Sequence, residues 1–319
     1  MTIDPTTAPT SASVLTPREV GTTGLRTFPI GFDGSVLGWV TGVERAGEVL
    51  GRFSDAGGTL VSTADHYAAG RSEFMIGRWL KTVDRSSVLV ATKVGRHPDR
   101  PGLGRHQIEN SVDASLERLG TDYIDFLSYD GDLLPEDPIE AFEAVDRLIR
   151  AGKVRFLSAA HFEASRVREL NEWTAPASFP TFRAVLGEYN LMTRRAMEEE
   201  MLPLAAEQGL AVFARLPLAA GFLTGDIRSA DDVPPNGLSD GALQHIGRRG
   251  ERVLTALTAV AHEHETTLAT VALAWVLSKP GITAAVVRAY SVDTLDVGLL
   301  SSTIGLTRQQ IASLDAASA

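Results

Sequence analysis

Cysteine is absent from the 319-residue chain. No disulfide framework, thiol nucleophile or cysteine-ligated zinc or iron–sulfur centre is therefore available. Lysine is scarce: it occurs only as Lys81, Lys93, Lys153 and Lys279. Basic residues number 30 against 40 acidic ones, for a net charge of −10. That balance argues against a broad electrostatic grip on nucleic acid or on an anionic membrane. No apolar run approaches the roughly 18 residues of a membrane span. Residues 1–16, MTIDPTTAPTSASVLT, lack the basic start and apolar core of a secretory signal and read as a flexible tail. The expectation is a cytoplasmic protein with no nucleic-acid or membrane partner and no metal. Nothing in the sequence speaks to its oligomeric state.

What the chain does contain is alternation. Short runs rich in β-branched and aromatic residues fall near 28–32, 59–62, 88–92, 123–128, 154–158, 182–186, 210–214 and 283–287. Longer segments of helical period separate them. In 106–119, Ile108, Val112, Leu116 and Leu119 share one helix face, and Gly120 follows as a stop. In 138–151, Phe142, Val145 and Ile149 repeat the pattern between Pro138 and Gly152. Segments 44–56, 70–82, 164–173 and 194–208 behave likewise. Eight such units with no break in composition predict one domain over 17–319, a (β/α)₈ TIM barrel, in preference to two doubly wound domains. The longest strand-free stretch, 215–250, would follow strand seven and lie over the barrel mouth as a long loop.

A barrel places its chemistry at the C-terminal ends of the strands. Those positions hold Ser62 to Tyr67, Lys93, Tyr129, Asp130, Ala160, His161, Leu186, Arg215 and Arg288 to Tyr290. Two other features carry no site. His262 and His264 of the HEHE run are two apart and share no helix face. GFDGSVLG at 31–38 lacks both the Rossmann fingerprint and the P-loop Lys-Ser/Thr, and reads as a turn.

The ordered segments VSTADHYAAGRSEFMIGRWLK, VLVATKVG, LERLGTDYIDFLSYDGD, AGKVRFLSAAHF, EYNLMTR, LPLAAGFLTGD and VALAWVLSKPGIT resemble the aldo-keto reductase superfamily from about residue 17 to the end. The resemblance implies a barrel that reduces carbonyls with NADPH. A tyrosine donates a proton, a lysine supports it, an aspartate pairs with the lysine, and a histidine orients the substrate. Tyr67 and Lys93 stand at the first two positions, but Ser62 stands at the aspartate and Asp130 at the histidine. At the cofactor positions, Ala160 and His161 replace a Ser-Asn pair, Leu186 a glutamine, and Asp226 a common lysine. Arg288, Tyr290 and Gly298 fall near the positions that receive the adenine nucleotide. Losing several hydrogen bonds to a charged ligand weakens binding by orders of magnitude, so the expectation is that NADPH binding is impaired or absent and no cofactor is favoured.

Without a hydride donor, the retained Tyr67 and Lys93 suit acid–base chemistry on a small molecule: dehydration, isomerisation or cyclisation, as in specialised metabolism. Asp130 would pair with Lys93 or act as a base, and His161 would shuttle protons. His66, Tyr129, Arg215 and Tyr290 would contact the substrate, with Arg215 either binding an acidic group or capping strand seven. Asp65 and Glu73 read as structural. Two alternatives stand beside this reading. One is an NADPH-dependent reductase in which Asp130 compensates for Ser62 and Arg288 helps to hold the cofactor. The other is a non-catalytic binding or regulatory barrel.

Overall fold

The β-branched runs form eight parallel strands: β1 (Ile30–Asp33), β2 (Leu60–Ala64), β3 (Leu89–Val94), β4 (Ile124–Asp130), β5 (Val154–Ala160), β6 (Phe182–Glu188), β7 (Ala211–Arg215) and β8 (Ala284–Val287). In this computed structural model, which describes residues 16–131, 133–135, 137–235 and 237–319, each strand pairs with its chain neighbour and β8 pairs with β1. The sheet therefore closes as a (β/α)₈ barrel. The expected tail, 1–16, lies outside the described residues except for Thr16. No helix among the described residues is long and apolar enough to cross a membrane.

Large and small side chains alternate inside the barrel. Phe126 and Phe213 meet edge to face with ring centroids 5.7 Å apart. Ala91, Ala184, Ala211 and Ala284 make room for them, and Leu60, Leu89, Leu186 and Val286 complete the filling. A second apolar layer separates the strands from helices α1 (Val43–Asp55), α2 (Arg71–Leu80), α3 (Arg105–Leu119), α4 (Ile139–Arg150), α5 (Ala164–Thr174), α6 (Leu202–Gln208), α7 (Arg248–Glu263), α8 (Leu268–Ser278), α9 (Val292–Ser301) and α10 (Arg308–Ser318). Gly120, at φ 61°, ends α3 in the left-handed conformation, and its N–H donates to the Leu116 carbonyl.

Two features are absent from the pattern-based expectation. A two-residue-stranded hairpin, Arg18–Glu19 with Arg26–Thr27, closes the N-terminal end of the barrel and sends Val20 into its interior. Strands this short leave no periodicity to read. The stretch after β7 is also more ordered than a plain loop. It folds into 3₁₀ turns at Ala219–Thr224, Ala230–Asp232 and Asp240–His245, with Phe222, Leu223 and Ala242 buried. Helix α7 then begins at Arg248.

The interior rings set the barrel's stability. Phe126→Ala is expected to cost about 3–5 kcal/mol in urea unfolding. A loss below about 1 kcal/mol would show that the barrel interior does not depend on this ring.

Candidate active site

Strand alternation decides which residues reach the mouth. Lys93, on β3, is 1% exposed, and its Nζ donates to the Thr63 carbonyl of β2 at 2.7 Å. The same Nζ lies 4.4 Å from the centroid of the Tyr67 ring. Tyr67 begins a tight turn in which Ala68 and Ala69 adopt φ of 50° and 56° before Gly70 starts α2. Left-handed backbone costs about 1–2 kcal/mol at a residue with a Cβ, so this turn is strained where it presents the tyrosine. His66 meets Tyr67 edge-on, with ring centroids 4.9 Å apart.

Asp130 ends β4 and is 1% exposed. Its Oδ1 accepts from His161 Nδ1 at 2.8 Å, and Arg96 Nε stands 3.3 Å from the same oxygen. His161 turns into the site through a left-handed backbone, φ 61°. Its Nε2 contacts Nη1 of Arg215. A carboxylate only accepts and a guanidinium only donates, so the contacts select the neutral Nδ1–H tautomer. Both ring nitrogens are thus engaged. His161 holds Arg215 in place and is not the free proton shuttle expected of it. Asp130 likewise makes its closest contact with His161, not with Lys93.

The electrostatics follow from burial and neighbours. Burial works against the Asp130 charge, but the His161 hydrogen bond and the charge of Lys93 outweigh it and hold the carboxyl below its usual range. Burial also opposes the charge of half-buried Arg215, yet the carboxylates of Asp33, Asp130 and Glu188 help to raise its pKa above the ordinary value.

Asp33 is the residue that the sequence reading missed. It ends β1, is 2% exposed, and stands directly across the ladder from Ser62. Its Oδ1 accepts from the Ser35 N–H at 2.9 Å, and its Oδ2 lies 3.6 Å from Arg288 Nε with no hydrogen-bond partner. Burial would raise its carboxyl pKa, but Arg288, Arg215 and Lys93 hold it below the ordinary value. Arg288 also donates from Nη1 to the Leu238 carbonyl at 2.9 Å, tying the segment after β7 to the first strand. The signal available in sequence was the acidic residue at the end of a barrel strand, inside a glycine-containing run that reads equally well as a turn.

The remaining positions divide. Ala160 and Leu186 are cross-strand partners whose side chains join the apolar barrel interior beneath the site. Tyr290 is 53% exposed after β8. Asp226 is exposed beyond β7. Gly298 lies within α9, where a Cβ would meet Val287 at 3.4 Å, so it serves helix–strand packing. Tyr129 does not line the mouth. It points outward from β4, is fully buried against Phe142 and Phe182, and donates its hydroxyl to the Ala141 carbonyl at 2.8 Å. Glu73 is buried between Thr92 and Arg118, binding α2 to β3 and α3. His264 pairs with Gln310 across 3.2 Å.

Residues 34–319 match the model of the Aldo/keto reductase family. Among curated proteins, the chain is 30% identical to an aryl-alcohol dehydrogenase of Pestalotiopsis microspora, over 80% of this chain and 69% of that one. It is 28% identical to a probable voltage-gated potassium channel subunit beta of Oryza sativa, over 85% and 86%. It is 29% identical to an NADH-specific methylglyoxal reductase of Escherichia coli, over 80% and 84%. These relatives overturn two expectations. Dehydratase, isomerase or cyclase chemistry has no counterpart among them, whereas dehydrogenase and reductase do. The expectation of no cofactor likewise conflicts with a relative named for its use of NADH. Those expectations drew on single positions, Ser62, Ala160 and Leu186, whereas these relatives match over 80% of the chain.

The depressed carboxyls link this site to stability. A group whose folded pKa is lowered stabilises above its unfolded pKa, and that contribution disappears as pH falls through the folded value. The unfolding free energy should therefore decline from about pH 5 downward, and Asp130→Asn should flatten that decline. Parallel pH–stability curves for the two proteins would contradict the assignment.

Proposed function

Since the chain belongs to the aldo/keto reductase family, we propose that it reduces the carbonyl group of a small aldehyde or ketone, with a nicotinamide dinucleotide as hydride donor. The observation that carries this reading is the Lys93 ammonium 4.4 Å from the Tyr67 ring, with both residues at the C-terminal mouth of the barrel. The donor set fits the cofactor. Arg215 ends β7 and Arg288 follows β8, the region where barrels bind phosphate. Ala160 and Leu186 offer the carboxamide no side-chain hydrogen bond, so the remaining N–H groups of Arg215, which His161 holds in place beside them, would bind it. When bound, the dinucleotide supplies hydride to the carbonyl carbon.

The chain's own residues supply the rest. Tyr67 donates its hydroxyl proton to the carbonyl oxygen. Lys93 stabilises the phenolate left behind, and Arg215, whose charge couples to Tyr67, adds a second positive group. Asp130 acts through His161 to orient Arg215. The apolar side chains of Ala160 and Leu186 beneath the site keep water away, so these charges act in a low dielectric.

Steady-state reduction of methylglyoxal and of aromatic aldehydes, with NADH and with NADPH, tests the reading. The wild-type protein should turn over at least one such carbonyl, and Tyr67→Phe should lower kcat about 10²–10⁴-fold with KM little changed. Lys93→Met should lower it comparably. Wild-type protein inert toward every pair, or a Tyr67→Phe variant as active as wild type, would overturn the proposal.

A further inference from the structure

We propose that Asp33 is the carboxylate partner of Lys93 in this chain, acting from β1 in place of Ser62 on β2. The inference rests on the reductase reading for its catalytic consequence, but not for its electrostatic core. The ladder sets the geometry: Asp33 pairs with Ser62 across β1–β2, and Ala64 pairs with Lys93 across β2–β3. The carboxylate is thus displaced by one strand spacing, about 4.8 Å, along the same rim of the barrel. Asp33 and Lys93 stand two strands apart, and their charges act on each other through an interior that screens them less than water does.

Two further observations bear on the choice among the acids at the mouth. Oδ2 of Asp33 is buried and accepts no hydrogen bond. A carboxylate that served only Arg288 would be expected to close that 3.6 Å gap into a hydrogen bond. Asp130, the other candidate, is already bonded to His161 and flanked by Arg96. Asp65 also has both carboxylate oxygens buried without a hydrogen bond, but it lies beyond the end of β2 and its nearest basic group is His66, with Oδ1 3.5 Å from Nδ1, whereas Lys93 is among the charges that act on Asp33. The positive groups that face Asp33 come from three elements: Arg288 after β8, Arg215 on β7 and Lys93 on β3. Lys93 in turn faces Asp33, Asp130 and the Tyr67 ring. Asp33 is a positioning residue: it keeps the Lys93 ammonium charged and so holds the positive group that stabilises the Tyr67 phenolate.

The test uses Lys93 itself. The chain has four lysines, so the Lys93 Nζ signal in a ¹³C/¹⁵N NMR spectrum can be assigned by its loss in Lys93→Met. Asp33→Asn should move the Lys93 titration down by about one pH unit or more. It should also shift the basic limb of the kcat–pH profile in the same direction and lower kcat about tenfold. Restoring a carboxylate on the neighbouring strand, in Asp33→Ser combined with Ser62→Asp, should return both the titration and the limb toward wild type. That double variant also serves if Asp33→Asn alone does not fold. An unchanged Lys93 titration in Asp33→Asn, or a double variant that folds without recovering it, would overturn the proposal. Loss of all turnover in wild type would instead overturn the reductase reading and leave the NMR result to stand alone.

Discussion

A lysine ammonium sealed inside a barrel is the constraint on which the site depends. Lys93 is 1% exposed and has one main-chain acceptor, the Thr63 carbonyl. A buried charge with so little solvation is costly unless opposite charge surrounds it. Asp33 and Asp130 supply that charge from strands on either side of the β2–β3 pair, and the face of the Tyr67 ring supplies a third, weaker attraction. The ammonium so surrounded lies 4.4 Å from the ring of the tyrosine that the proposed chemistry uses. Structural need and chemical use are therefore the same interaction.

From Lys93 the polar network spreads around the rim. Asp130 fixes His161, His161 fixes Arg215, and Arg215 returns its charge to Tyr67 and Asp33. Asp33 reaches Arg288, and Arg288 holds the carbonyl of Leu238 in the segment after β7. Every strand end on this circuit points the same way because the strands are parallel, which is why one barrel face can assemble groups so distant in sequence. The net charge of −10 does not show this arrangement. At the rim, acids and bases are matched locally.

Much of this was legible in the residues. The eight strands follow from β-branched runs, whereas the interior of phenylalanines among alanines emerges only once the sheet closes. Tyr67, Lys93, Asp130, His161, His66 and Arg215 do converge. Tyr129 does not, because adjacent residues on a strand point to opposite faces, and Asp130 takes the inward one. Asp33 escaped because its importance lies in ladder register: nothing in GFDGSVLG announces that its aspartate sits opposite Ser62. His161 was read as a proton carrier because sequence shows a histidine but not the two partners that occupy its nitrogens. Reading the family's positions one at a time made the site look dismantled. Viewed across strands, Asp33 lies beside Ser62 in the ladder, and His161 bonds to Asp130 from the neighbouring strand end.

The central claim is that Tyr67 protonates a carbonyl while hydride arrives from a nicotinamide. Isotope transfer tests it most directly. With cofactor deuterated at the transferring position and methylglyoxal or an aromatic aldehyde as substrate, mass spectrometry of the product should show one deuterium on the former carbonyl carbon. Tyr67→Phe should yield almost none of that product in the same time. Product formed without deuterium, or deuterated product formed equally fast by the variant, would contradict the account.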